Sequence, residues 1–278
     1  MKRARTAFIT MTVGVAGLVL AVCAAQNEDI THRCLYLPPR WGNRVSFYHS
    51  FENGPGKPEV NRPDASVAAP PTKQCAGYVG RGYRCCPCPE GVGGQLTLRS
   101  PAFSAHHPLT IMMWWRLDAP MKDETTYRLI DLRGTGYISS FVHGKGTWCA
   151  LERPTGVLQV YRFAGIPNHN GIRGGGDPRA KTGQWHHAAL TVEAGSEVRS
   201  YRDGTLQRRH VIQGRLFQKG DTREIRLGNR CGGHPMTIDE VVIVDRALSP
   251  EEIQDYIQAC SHLREVRMPV LSPQFVSE

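Results

Sequence analysis

The chain of 278 residues lacks the short signatures by which many enzymes are read from sequence. It has no H-E-x-x-H to pair two histidines on one helix face around zinc, no G-x-S-x-G elbow to present a nucleophilic serine, and no G-x-x-x-x-G-K-[ST] loop to cradle a nucleotide phosphate. The glycine run at 171–177 precedes a strand pattern instead of opening a helix, so no helix N-terminus is available there to hold an anion. Helical periodicity is equally scarce, with one convincing segment in the whole chain, which excludes an alternating α/β enzyme fold. Beyond residue 25 no apolar run reaches the ~20 residues that a spanning helix needs. Charge is not strongly of one sign: 34 Lys+Arg stand against 25 Asp+Glu, too small an excess for a dedicated nucleic-acid surface. That balance suits an acidic partner such as an anionic polysaccharide, or a solvated surface that is merely basic.

What is present begins with an export signal. Lys2, Arg3 and Arg5 form a basic end, 7–22 are almost wholly apolar, and Cys23-Ala24-Ala25 supplies small residues before a polar start at Gln26. A membrane anchor is the alternative, although the apolar stretch is near the short end of ~17–25 residues. Leu20-Ala21-Val22-Cys23 also looks like a bacterial lipoprotein signal, with a bulky valine before the cysteine, so lipidation at Cys23 is the one membrane attachment the sequence offers. Removing the signal lowers the formal charge from +9 to +6, since three cations leave with it. Eight cysteines then remain: Cys34, Cys75, Cys85, Cys86, Cys88, Cys149, Cys231 and Cys260. In an oxidising compartment they suit up to four disulfides of undetermined connectivity, and adjacent cysteines in an exported chain favour bridges over a zinc site at Cys85, Cys86 and Cys88.

After a lead-in at 26–44, the residues from Val45 to Phe51 alternate as a strand does. The stretch 56–94 is rich in proline, glycine and cysteine and reads as a surface excursion. Strand follows strand thereafter, at 109–117, 127–132, 137–142, 148–151, 157–161, 185–192, 198–202, 206–212, 224–227 and 238–244, with Asp203-Gly204 as a favoured two-residue hairpin turn. The chain closes on Thr237–Ile257, a β-branched strand and then a helix from Pro250 to about Ala259. The helix is capped by Ser249 and Glu252 and carries Ile253, Tyr256 and Ile257 as one apolar stripe. About eleven strands and one short C-terminal helix predict an all-β, two-sheet antiparallel jelly-roll sandwich over 45–260, with 261–278 as a tail and Cys260 pinning the closure.

Four segments carry a family resemblance: LTIMMWW at 109–115, GQWHHAALTV at 183–192, Tyr201-Arg202-Asp203-Gly204, and IDEV at 238–241 followed by RALSPEEI at 246–253. In this order and spacing the chain resembles the LamG-like jelly rolls, laminin G and pentraxin-type domains of the concanavalin A-like lectin/glucanase superfamily, over roughly 45–260. The resemblance implies a secreted or cell-surface binding domain for carbohydrate or an extracellular protein. Alternatives are a glycoside hydrolase or polysaccharide lyase of the same superfamily, or a structural adhesion module. It implies a calcium ion near the rim, with Glu52, Asp64 and Asp239 as candidate ligands, although calcium takes six to eight oxygens and these carboxylates supply only part of a site. Glucanase relatives carry an E-x-D-x-x-E pattern that is absent here. Asp239 and Glu240 are adjacent, so in a regular strand their side chains take opposite faces.

The same alternation separates His186 from His187 and makes both structural. Trp114, Trp115, Trp148 and Trp185 read as core before they read as sugar platforms. Candidate ligand-binding residues are Tyr161, His169 and Arg173, around the polar loop at 166–183, and Arg202. Arg202 stands where relatives place an apolar residue, either to bind a carboxylate or sulfate or to snorkel to the sheet edge.

Overall fold

The computed structural model describes residues 37–54, 56–69, 74–85, 94–100, 103, 107–120, 126–133, 137–143, 147–149, 158–161, 180–193, 197–211, 224–228 and 235–267. The strands are β1 Val45–His49, β2 Val60–Asn61, β3 Ser66–Ala68, β4 Gln74–Ala76, β5 Arg81–Cys85, β6 Leu96–Arg99, β7 Leu109–Leu117, β8 Thr126–Arg133, β9 Tyr137–His143, β10 Thr147–Cys149, β11 Leu158–Tyr161, β12 Trp185–Glu193, β13 Glu197–Arg202, β14 Thr205–Val211, β15 Glu224–Leu227 and β16 Met236–Val244. A 3₁₀ turn, Pro39–Arg44, precedes them, and helix α1, Pro250–Arg267, follows.

A strand that is apolar on both faces has to be covered on both. β7 and β16 are buried along almost their whole lengths, and they lie side by side inside the larger sheet. Among the described residues that sheet has nine strands, in the order β14-β13-β12-β7-β16-β1-β2, with β5 also on β16 and β4 on β5. The second has seven, β10-β9-β8-β15-β6-β3 with β11 on β9, and every pairing in both sheets is antiparallel. Phe47, Ile111, Met113, Trp115, Leu190, Ile238 and Ile243 from the first sheet meet Leu96, Leu98, Ile130, Leu132, Ile225 and Leu227 from the second. At roughly 1.5–3 kcal/mol for each fully buried large side chain, this seam is the principal stabilising term.

The two-sheet sandwich agrees with the expectation from sequence. The five strands beyond the expected eleven are β2 to β6, and four of them fall in the stretch read as a surface excursion. β5 pairs with β16 and buries Tyr83 and Cys85, so that stretch is part of the sheet and its core. Its alternation was obscured because Gly77, Gly80 and Gly82 supply no hydrophobic signal.

Helix α1 packs on the opposite face of the nine-stranded sheet. The Ser249 hydroxyl accepts from the Glu252 N–H at 3.3 Å while the Glu252 carboxylate accepts from the Ser249 N–H at 3.1 Å, the reciprocal cap that the sequence predicts. Arg246 donates both guanidinium branches to Glu252, and this pairing is the main reason its carboxyl is held down at about 2. The stripe Ile253, Tyr256 and Ile257 is buried, with Tyr256 beside Trp41 of the 3₁₀ turn. The helix continues past the expected end at Ala259 to Arg267. Cys260 extends the buried stripe, and Ser261 hydrogen-bonds the Tyr78 hydroxyl at 2.8 Å.

Candidate functional site

The closing strand β16 changes partners half-way. Met236–Ile238 pairs with β5, whereas 241–244 pairs with β1. At the change, Asp239 opposes Trp114 and Val242 opposes Met112, so three steps on β16 span two on β7. This is a β-bulge, and it holds Glu240 at φ 49°. Ile238 and Val241 both enter the core between the sheets, leaving Asp239 and Glu240 together on the helix-facing side. The expectation that strand alternation separates these two acids is therefore corrected: the extra residue cancels one alternation.

Both acids are sealed. Asp239 has no exposed surface; its Oδ2 accepts from the Tyr78 and Val79 N–H groups at 2.7 and 3.0 Å, and its Oδ1 from the Glu240 N–H at 2.9 Å. Glu240 accepts the Tyr48 hydroxyl at 2.8 Å and, through its carbonyl, the Tyr256 hydroxyl at 3.3 Å. Burial first and the Glu240 charge second push the Asp239 carboxyl well above the usual carboxylate range, against the lowering effect of the N–H donors.

Two of the three donors to Asp239, Tyr78 and Val79, come from the loop between β4 and β5, which lies between Asp239 and Glu52. Glu52 Oε1 accepts from the Arg81 N–H at 2.9 Å. Gly80 lies at φ 69°, and a Cβ there would fall 1.8 Å from Glu52 Oε1, so only glycine fits between the loop and this carboxylate. The structure thus brings Glu52 and Asp239 to one loop. Asp64 is not part of the group, because its carboxylate accepts from Ser100 at 3.1 Å and lies beside Arg62. Among the described residues no cluster of three or more histidine, cysteine or acidic side chains is placed to hold a metal. The implied calcium ion does not fit this donor set: the Asp239 oxygens face amide hydrogens, where a cation needs open lone pairs.

Around the acid pair the helix covers a polar interior. His187 is fully buried, both ring nitrogens lack a hydrogen-bond partner among the described residues, and burial drives its pKa from 6.5 to about 3 despite the nearby Asp203. Trp114 and Tyr256 pack against its ring, with centroids at 5.3 and 5.9 Å. His186 takes the other face, beside Trp115, so the two histidines are separated as alternation predicts. Cys260 is a free thiol in this interior, raised well above its usual pKa by burial and then by Glu240. The closure at Cys260 is held by packing rather than by a covalent pin. Cys75 is also a thiol, 3.3 Å from the Thr237 hydroxyl. Cys34, Cys86, Cys88 and Cys231 lie outside the described residues.

Of the proposed ligand-binding residues, His169 and Arg173 lie outside the described residues, and Tyr161 ends β11 opposite Tyr137. Arg202 does not snorkel. It opposes Ala188 on the core-facing side at 6% exposure, with Nη2 3.3 Å from His186 Nε2 and Nε 3.4 Å from Asp203. The Asp203-Gly204 turn has φ 49° and 78°, as a hairpin of this type requires, and Asp203 Oδ1 accepts from the His187 N–H at 2.7 Å.

A second constellation lies one row along the same sheet face. Register across β5, β16, β7 and β12 aligns Arg84, Thr237, Arg116 and Trp185. Asp118 sits among them, taking the Thr237 hydroxyl at 2.7 Å and Arg116 Nε at 2.9 Å, with Arg84 Nε at 3.6 Å. The Arg116 guanidinium lies 4.8 Å from the Trp185 ring centre. Tyr78 joins the row, stacked on Trp114 at 3.5 Å, edge-on to Trp185 at 5.9 Å and covered by Arg264 at 4.9 Å. Trp185 and the three arginines are partly exposed. Sequence reasoning missed Arg84, Arg116, Arg264 and Tyr78. Two-residue alternation was the available signal, since it puts Arg116 on the face of Trp114, away from the core Trp115.

Comparison with known structures places this architecture among jelly rolls. Domain 4 of AbnA, an extracellular arabinanase from Geobacillus stearothermophilus solved with arabinotriose, superposes with a TM-score of 0.55 at 17% identity, over 77% of this chain and 98% of that one. A Trypanosoma rangeli sialidase gives 0.52 at 15% identity, over 80% of this chain and 33% of that one. The binding domain of botulinum neurotoxin serotype D gives 0.50 at 10% identity, over 78% and 52%. This chain thus spans a third to about half of the latter two, and at such identities the likeness is one of fold. No curated protein matches the sequence. Residues 90–254, more than half of the chain, match the family of the Concanavalin A-like lectin/glucanases superfamily, and the chain belongs to it.

Proposed function

We propose that this chain is a non-catalytic binding domain that acts outside the cytoplasm and recognises carbohydrate. The observation that carries the reading is Trp185, a partly exposed indole held on a rigid strand by the Tyr78 edge and the Arg116 guanidinium. An aromatic face fixed before the ligand arrives can cover the apolar face of a sugar ring with little loss of side-chain entropy. The sealed state of Asp239 and Glu240 supports binding over hydrolysis, because glycosidic cleavage needs carboxyl groups that reach the scissile bond. The export-like N-terminus supports an extracellular setting, and among the described residues no helix is long and apolar enough to cross a membrane. Domain 4 of the arabinanase, solved with arabinotriose, supports the fold's suitability for an oligosaccharide.

A glycan array probed with the mature protein tests the reading, with Trp185→Ala alongside. We expect retention of at least one glycan class and a loss of about tenfold or more in the variant, since covering a large apolar side chain contributes roughly 1.5–3 kcal/mol. Silence across neutral and acidic glycans overturns it in favour of a protein ligand.

A further inference from the structure

We infer that the ligand of this face is an anionic polysaccharide, its sulfate or carboxylate groups held by Arg84 and Arg116 beside Trp185. The inference rests on the carbohydrate reading above and adds the ligand's charge, which Trp185 alone does not specify.

The geometry of Asp118 carries it. Asp118 lies at the Nε edge of both guanidiniums, Arg116 through Oδ1 and Arg84 through Oδ2, and is itself held by the Thr237 hydroxyl. Among the described residues no hydrogen bond engages the Nη atoms of either arginine. The outer forks, which match the two oxygens of a carboxylate or sulfate, thus have no hydrogen-bond partner among the described residues while the side chains are steered from behind. Asp118 is only 9% exposed, whereas Arg116 and Arg84 are 22% and 39% exposed, so a polyanion meets the cations first. The Arg116 guanidinium carbon, 4.8 Å over the Trp185 ring centre, sets a cation next to the ring that a sugar would cover.

Charge counting points the same way. Two guanidiniums share a single carboxylate, and Arg264, over Tyr78 at the other end of the row, has no acidic partner among the described residues. On the same sheet Arg199 and Arg209 face two acids, Glu193 and Glu197. Among the ion pairs described on this sheet, cations thus outnumber acids in the row beside Trp185. A polymer with acidic groups along its length could engage Arg84, Arg116 and Arg264 together and gain from multivalency.

The test measures binding of the full chain to immobilised heparin, polygalacturonate and neutral dextran across a salt series. Arg84→Gln/Arg116→Gln is compared with Arg264→Gln, and with Arg209→Gln on another part of the sheet as control. Binding to heparin or polygalacturonate that falls about tenfold or more in the double variant, with a shallower salt dependence, supports the inference. Polygalacturonate binding assigns carboxylate recognition, and heparin binding without it assigns sulfate. Arg264→Gln, on the helix surface, should weaken binding severalfold without unfolding the sheet, which keeps the test informative if the double variant folds poorly. Equal binding of wild type and both strip variants overturns the inference, as does retention of dextran alone. In the dextran case the carbohydrate reading survives. Silence on all three polymers and on the glycan array removes both.

Discussion

One face of the nine-stranded sheet is used in two ways. The row Asp239, Trp114 and His187 is roofed by the β4–β5 loop and α1, which seal its polar groups from water. The next row has the same backbone and buries Thr237, but leaves Arg84, Arg116 and Trp185 partly exposed. The strands alone do not decide which row binds. Coverage decides it, because a sealed polar group is closed to a ligand, whether partnered like Asp239 or unpartnered like His187, whereas an uncovered one is available. The covered row should therefore govern stability and the uncovered row recognition, and substitutions in the two should separate these readouts.

The largest expected effect lies in the covered row and is a pH dependence. His187 has a folded pKa of about 3, below its ordinary 6.5, so the unfolded chain binds the extra proton first. The stability tied to neutral His187 is complete above about pH 6.5. It is lost as pH falls toward 3, to a total of roughly 5 kcal/mol. His187→Leu removes that titration, and because neither ring nitrogen has a partner among the described residues, the apolar replacement forfeits no hydrogen bond there. We expect little change in unfolding free energy at pH 7.5 and a variant more stable than wild type by about 2 kcal/mol at pH 5, read from urea titrations. Parallel pH profiles for the two proteins would refute the assignment of the acid limb to His187.

Asp239→Ala comes next. It removes the acceptor of three buried N–H groups, those of Tyr78, Val79 and Glu240, and at about 1–3 kcal/mol for each orphaned donor we expect a loss of about 3 kcal/mol or more. Asp239→Asn retains one acceptor oxygen and should fall between. Amide exchange would localise the damage, with the Tyr78 and Val79 amides losing protection first. Arg84→Gln and Arg116→Gln should stay within about 0.5 kcal/mol of wild type, since they change partly exposed ion pairs. A large loss of stability in those variants would break the distinction between the rows.

The sequence disclosed the strands, the capped helix and the hairpin because each rests on local chemistry: alternation, a Ser-x-x-Glu cap, an Asp-Gly turn. It placed Glu52 and Asp239 near one another through the family resemblance. It did not disclose the bulge. The bulge coincides with the point where β16 exchanges β5 for β1, and β5 is drawn from a glycine-rich segment about 150 residues earlier in the chain. Cys260 was misread for a related reason. An even cysteine count says nothing about which thiols meet, and this one faces Tyr256 and Trp114 in a closed interior. Arg202 shows the limit of residue-type rules: a cation at the edge of a core suggests snorkelling until His186 and Asp203 are seen to hold it in place.

The smallest expected effect concerns calcium, and it tests the covered row from outside. A rim cation would have to displace the loop N–H groups from Asp239, and it would find Glu52 engaged by the Arg81 N–H and Asp64 committed to Ser100. Breaking those bonds exposes buried amide donors while supplying few of the six to eight oxygens that calcium takes. Calcium at millimolar concentration, or its removal with EDTA, should leave the melting temperature unchanged within about 1 °C and give no binding heat by calorimetry. A calcium-dependent rise of several degrees would mean that the loop between β4 and β5 yields its place to the ion, and the covered row would then be a metal site in its closed form. Wild type and Asp239→Asn distinguish these outcomes, because only a bound ion would make the rise in melting temperature depend on the charge of that carboxylate.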